Sequence, residues 1–246
     1  MAMSGEISNL FRVRTDSITG TETESRKNRV IGLMLALAAL TGVFLVEQTL
    51  QPSYWVKSAV KALAFSVPVV VYAALSRISL WETIGLRKLS GAKPLFLAML
   101  LFLAGTMLLF LIFRGELDLA GIRQSLMQKE NLTRENCLFV FGYIIICNSF
   151  LEEAFFRGFV FRLFHRKITG ALISAALFSV YHIGIFITWF NPMIFLLCVS
   201  GLAGVGLFLQ WLKEKYHTIA ASYVVHASAN ISINVIGAML IFGILG

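Results

Sequence analysis

Apolar residues run almost unbroken for about 20 positions at a time along most of the chain, and short polar stretches separate the runs. A bilayer core is about 30 Å thick and takes about 20 helical residues to cross. The runs place spans near 30–50, 57–76, 94–113, 136–156, 169–190, 192–212 and 218–245. The pattern predicts an all-α fold, a polytopic membrane bundle of seven transmembrane helices, or eight if the long last run breaks. Residues 1–29 are polar and mixed in charge, so they read as a cytoplasmic tail rather than a secretory signal, and residues 30–246 read as one membrane domain. The stretch Ser79–Leu89 spaces its apolar residues to lie in the inner headgroup layer, with Trp81 as anchor. Loop 114–135 is expected to hold a short helix around Leu119–Met127. Gly201, Gly204 and Gly206 are expected to let two helices approach closely.

Polar groups interrupt the runs unevenly. The fourth span carries Asn148, Ser149, Glu152, Glu153 and Arg157, the fifth Ser179, Tyr181 and His182, and the seventh Ser222, Tyr223, His226, Ser228, Asn230, Ser232 and Asn234. The other spans offer little beyond Ser66, Thr106 and Ser200. Ionisable groups inside lipid are costly and usually functional. The asymmetry therefore points to a polar site in the C-terminal half.

Composition and charge sharpen this. At 58% apolar and 14% charged, the chain departs from the roughly 45–50% and 25% of soluble domains, which excludes an ordinary soluble enzyme. The 21 basic residues exceed the 13 acidic ones, but most sit on alternate loops: before span one, after span two, after span four and after span six. The remaining six, Lys57, Lys61, Arg114, Arg123, Lys129 and Arg134, fall on the opposite side. The positive-inside rule then puts the N-terminus in the cytoplasm and the seven-span C-terminus outside. The basic excess is mostly a topology signal and calls for no nucleic acid. Cys137, Cys147 and Cys198 form no paired motif and read as apolar fillers.

Adjacent helical residues point about 100° apart, so Glu152 and Glu153 cannot share one task. Glu153 and Arg157 are four apart and can meet on one face. So paired they would serve as scaffold, leaving Glu152 free to meet other spans as a general base. His226 and Asn230 are also four apart and face one way, which suits either metal ligation or hydrogen bonding to an oxyanion. Counted along their helices, Glu152, His182 and His226 can all meet in the inner half of the bilayer.

These residues carry a resemblance. EEAFFRG at Glu152–Gly158 resembles the EExxxR motif of the CPBP family of intramembrane proteases (CAAX proteases and bacteriocin-processing enzymes, also called Abi), FSVYH at Phe178–His182 its FxxxH motif, and HASAN at His226–Asn230 its HxxxN motif. Order and spacing agree over roughly residues 136–235. The resemblance implies an intramembrane endopeptidase similar to the type II CAAX prenyl endopeptidase. On that likeness Glu152 and His182 activate a water, His226 and Asn230 stabilise the oxyanion, and Glu153 and Arg157 support the geometry. The implied partners are membrane lipids and a protein or peptide substrate, prenylated or not. The expected cofactor is none. The alternative is zinc held by Glu152, His182 and His226, although HExxH spacing is absent. Two other functions compete: a catalytically silent scaffold or immunity factor on the same fold, and a transporter, which would show internal repeats that are not evident here.

Overall fold

The computed structural model describes residues 25–91, 93–186 and 190–245. The polar tail lies outside them as far as residue 24, and residues 25–29 already belong to the first helix. The helices are α1 (Ser25–Leu50), α2 (Tyr54–Ser76), α3 (Leu80–Ile84), α4 (Lys93–Phe113), α5 (Leu119–Gln124), α6 (Cys137–Val160), α7 (Lys167–Phe186), α8 (Pro192–Tyr216) and α9 (Ile219–Ile241). Among the described residues there is no strand. Seven helices, all but α3 and α5, are long and apolar enough to cross a membrane. The chain is thus an integral, multi-pass membrane protein. The last run is a single helix that ends at Ile241, so the described residues form no eighth span.

Local sequence sets the breaks. Asn191 caps α8 by accepting from the Ile194 amide, and Pro192 opens the helix, where its missing N–H costs nothing. His217 ends α8 in a left-handed conformation (φ 54°), and Thr218 then caps α9, so a two-residue link makes the two helices antiparallel neighbours. Asp118 caps α5 through the Gly121 amide, and this is the expected short helix of the long loop.

Burial ranks the helices. Only 6% of the apolar window of α4 is buried, against 44% of that of α6. α4 packs on α9 and otherwise presents side chains such as Phe96, Leu97 and Leu101 outward, as a helix in lipid does. α6 is central and touches α2, α3, α7, α8 and α9. Its phenylalanines Phe155, Phe156 and Phe159 are fully buried against Phe65, Tyr72, Phe178 and Tyr181. They are core groups, not lipid-facing ones. Gly206 packs against Ala175, whereas Gly201 and Gly204 face nothing within 4 Å, so one of the three glycines mediates close approach.

Two features of α6 position the site. Its turns at Ile144–Asn148 and Glu153–Val160 are wide, with i→i+5 hydrogen bonding, and Glu152 sits between them. Such turns re-aim side chains and recur at functional sites. At its far end Gly158 lies against α3, where a Cβ would collide with the Ile84 backbone. α3 is also tied to its other neighbours: the Ile219 amide donates to Gly85 O at 3.1 Å, Thr218 Oγ1 donates to Arg87 O at 2.8 Å, and Arg162 donates to Glu82 O. Trp81 stays exposed while Thr83 and Ile84 are buried, as an interfacial helix with one face docked requires.

Candidate active site

α6, α7 and α9 bring the three motifs together. Glu152 Oε2 lies 3.7 Å from Nε2 of His182 and 3.7 Å from Nε2 of His226. The carboxylate is buried (1% exposed). Its two oxygens have different surroundings. Oε1 accepts from Asn148 Nδ2 at 2.8 Å and from the Tyr181 hydroxyl at 3.4 Å, and Lys61 Nζ lies 3.7 Å away. Oε2 is buried and makes no hydrogen bond. One oxygen is anchored, and the other faces the histidines unspent.

The same asymmetry holds for the imidazoles. His182 Nδ1 sits 2.8 Å from Phe178 O. A carbonyl only accepts, so Nδ1 carries the proton, and in the neutral ring Nε2 is an acceptor. His226 Nδ1 sits 2.9 Å from Glu153 Oε1, and the carboxylate fixes its tautomer in the same way. Three lone-pair atoms therefore converge with no proton among them. A water, a cation or a further proton satisfies such a set. Among the described residues, however, no group of three or more His, Cys, Asp or Glu side chains has the placement of a metal site. The donor types fit zinc; their spacing as it stands does not.

Glu153 and Arg157 meet at 3.5 Å, both fully buried. Glu153 Oε1 thus serves both Arg157 and His226. The guanidinium makes no hydrogen bond, but it stacks 4.0 Å from the Phe178 ring centroid. That cation–π contact accounts for the aromatic residue at the head of the FxxxH segment. Asn230 lies one helical turn beyond His226 and donates to Ser149 Oγ at 2.8 Å; Ser149 in turn donates to Ile144 O at 3.0 Å. Asn230 is therefore held by α6.

Sequence reasoning missed several members of this cluster. Asn148, Ser149 and Tyr181 interrupt the apolar runs, but their spacing alone assigns them no role. In the charge pattern Lys61 falls with the loop charges of the outer side. α2 begins at Tyr54, so Lys57 and Lys61 lie in its first turns on one face. Lys57 is buried and ion-paired with Glu130 (2.9 Å) and Glu47 (3.3 Å), while Lys61 reaches the site. Their i,i+4 spacing was the available signal.

Residues 134–232 match the family model described as Type II CAAX prenyl endopeptidase Rce1-like. The match covers less than half of the chain and takes in all three motifs. No curated protein and no solved structure matches the chain.

Proposed function

We propose that the chain is an intramembrane endopeptidase that hydrolyses a peptide bond of a membrane-associated or lipidated protein or peptide. The observation that carries this reading is the convergence of Glu152 Oε2 with the two Nε2 atoms, each at 3.7 Å. A water placed among these acceptors donates one proton to Oε2 and another to His182, so its oxygen lone pairs face an incoming scissile carbonyl. As it attacks, Glu152 takes the proton as general base. The tetrahedral oxyanion then needs donors. Asn230 has a second Nδ2 proton beyond the one given to Ser149. His226, turned by its Nδ1 contact with Glu153, receives on Nε2 the proton that Glu152 has taken, donates it to the oxyanion, and the proton goes to the leaving amine nitrogen as the C–N bond breaks. Glu153 and Arg157 hold that histidine, the first by contact and the second through Glu153. No step uses a metal.

Peptide termini in membranes of cells expressing wild type or Glu152→Ala test the reading. Cleaved ends present only with wild type support it and name the substrate. An equal set of ends, with the biological effect intact in the variant, favours the scaffold role.

A second reading has one observation behind it: both histidines turn an unprotonated Nε2 toward Glu152, with a carboxylate and a carbonyl behind them, as metal-bound histidines are commonly supported. Zinc held by Glu152, His182 and His226 would supply Lewis-acid chemistry. Activity and bound metal after chelation of the purified protein separate the two. Full loss with restoration by Zn²⁺ establishes zinc, and unchanged activity in metal-free protein establishes the glutamate mechanism.

A further inference from the structure

The family domain begins at residue 134, yet its buried glutamate is held from outside that domain. Lys61, on α2, lies 73 positions before it. Its side chain is 13% exposed, its Nζ is 2.9 Å from Asn148 Oδ1 and 3.7 Å from Glu152 Oε1, and it sits 5.1 Å from the Tyr181 ring centroid. We propose that Lys61 is a positioning residue of the site: it balances the charge of Glu152 and, through Asn148, fixes which carboxylate oxygen is anchored and which is left to act.

Two lines of geometry support this. The first is charge. Glu152 and Glu153 are buried carboxylates, and Arg157 lies against Glu153. With Arg157 placed against Glu153, Lys61 is the lysine or arginine that lies against Glu152, its Nζ 3.7 Å from Oε1. Around Glu152 the groups are Lys61 from α2, Asn148 from α6, Tyr181 and His182 from α7, and His226 from α9. Among these, Lys61 is the only side chain with a permanent positive charge. An unbalanced charge in a membrane interior is costly. The second line is direction. An Asn side chain has one acceptor oxygen and one donor nitrogen. Lysine can only donate, so it engages Oδ1 and turns Nδ2 toward Glu152 Oε1. Tyr181 donates to the same oxygen. Oε2 is thereby left facing His182 and His226. Lys61 on Oδ1 and the carboxylate on Nδ2 select the same amide orientation, and removing Lys61 takes away one of the two contacts that set it.

Lys61 thus deepens the proteolytic reading and rests on it for its catalytic consequence, but its coupling to Glu152 does not depend on catalysis. The experiment uses the full chain in detergent or lipid and four proteins: Lys61→Met, Lys61→Arg, Glu152→Gln and the double variant Lys61→Met/Glu152→Gln. Lys61→Met is expected to melt lower than wild type, by on the order of 10 °C. The double variant, neutral again, is expected to recover most of that loss. In membranes, Lys61→Met is expected to cut the yield of cleaved ends by about 100-fold or more, and Lys61→Arg, which keeps the charge and the donor, to retain a substantial part. Two results overturn the proposal. One is Lys61→Met with a wild-type melting temperature and a wild-type yield. The other is a double variant whose melting loss equals the sum of the single ones, since that removes the coupling. If Glu152→Gln still cleaves, the proteolytic reading fails, while the melting cycle continues to decide the role of Lys61.

Discussion

Replacing Gly158 by alanine tests how α3 and the catalytic helix fit together. In a helix interior this change ordinarily stabilises, by about 0.5–1 kcal/mol, because alanine loses less backbone entropy on folding. Here the added methyl would enter the Ile84 backbone, coming within 2.6 Å of Ile84 Cα and 2.7 Å of Ile84 C. Backbone cannot rotate away as a side chain can. α3 is also tied on its other sides by Gly85 O to the Ile219 amide and by Arg87 to Thr218. Forced overpacking costs about 1–3 kcal/mol. With the clash against fixed backbone, the upper part of that range applies, and the net after the entropic gain is about 2 kcal/mol destabilising. At about 2–4 °C per kcal/mol for a chain of this size, the melting temperature should fall by roughly 4–8 °C. Gly142→Ala on the same helix is the control, since nothing lies within 4 Å of its position; it should rise by roughly 1–4 °C. Thermal unfolding of both purified variants in one detergent reads the difference. The reasoning is refuted if Gly158→Ala melts level with or above wild type. The same clash should lower activity, because it pushes on Thr218 and Ile219 at the start of the helix that carries His226.

Other substitutions separate the roles within the cluster. Arg157→Leu strips Glu153 of its cation in a fully buried position, and breaking such a pair costs about 3–5 kcal/mol; thermal unfolding should show the loss, and Arg157→Leu/Glu153→Gln should recover part of it without restoring activity, since His226 keeps no carboxylate. Asn230→Ala removes one oxyanion donor and should slow cleavage by about 10²–10³-fold, a milder effect than His226→Ala or His182→Ala, measured as product formed per unit of membrane protein. Ser149→Ala should fall between wild type and Asn230→Ala, because it removes only the partner that holds the amide.

The spans were legible because lipid imposes a simple rule: about 20 apolar residues in a row, recurring. The pairing of Glu153 with Arg157 was legible from i,i+4 spacing on one helix. So was the existence, though not the docking, of the Ser79–Leu89 segment. What escaped was set by tertiary placement. Lys61 looks like a boundary charge in the sequence because the apolar run starts near residue 57; the helix begins at Tyr54, and Lys61 reaches Glu152. The wide turns on both sides of Glu152 leave no mark in hydropathy, yet they decide where Asn148 and Ser149 point. The division of labour between the two oxygens of Glu152 depends on side chains from four different helices. No periodicity within one helix encodes it.

The central claim is that the Glu152 carboxylate activates water for peptide-bond hydrolysis. The direct measurement takes the substrate named by the terminal comparison and follows its cleavage by purified wild type and Glu152→Gln in liposomes. Glu152→Gln nearly preserves size and hydrogen bonding at Oε1 but removes the base. The account predicts that the variant inserts and folds as wild type does and gives no cleavage above background. Cleavage by Glu152→Gln at the wild-type rate would contradict it.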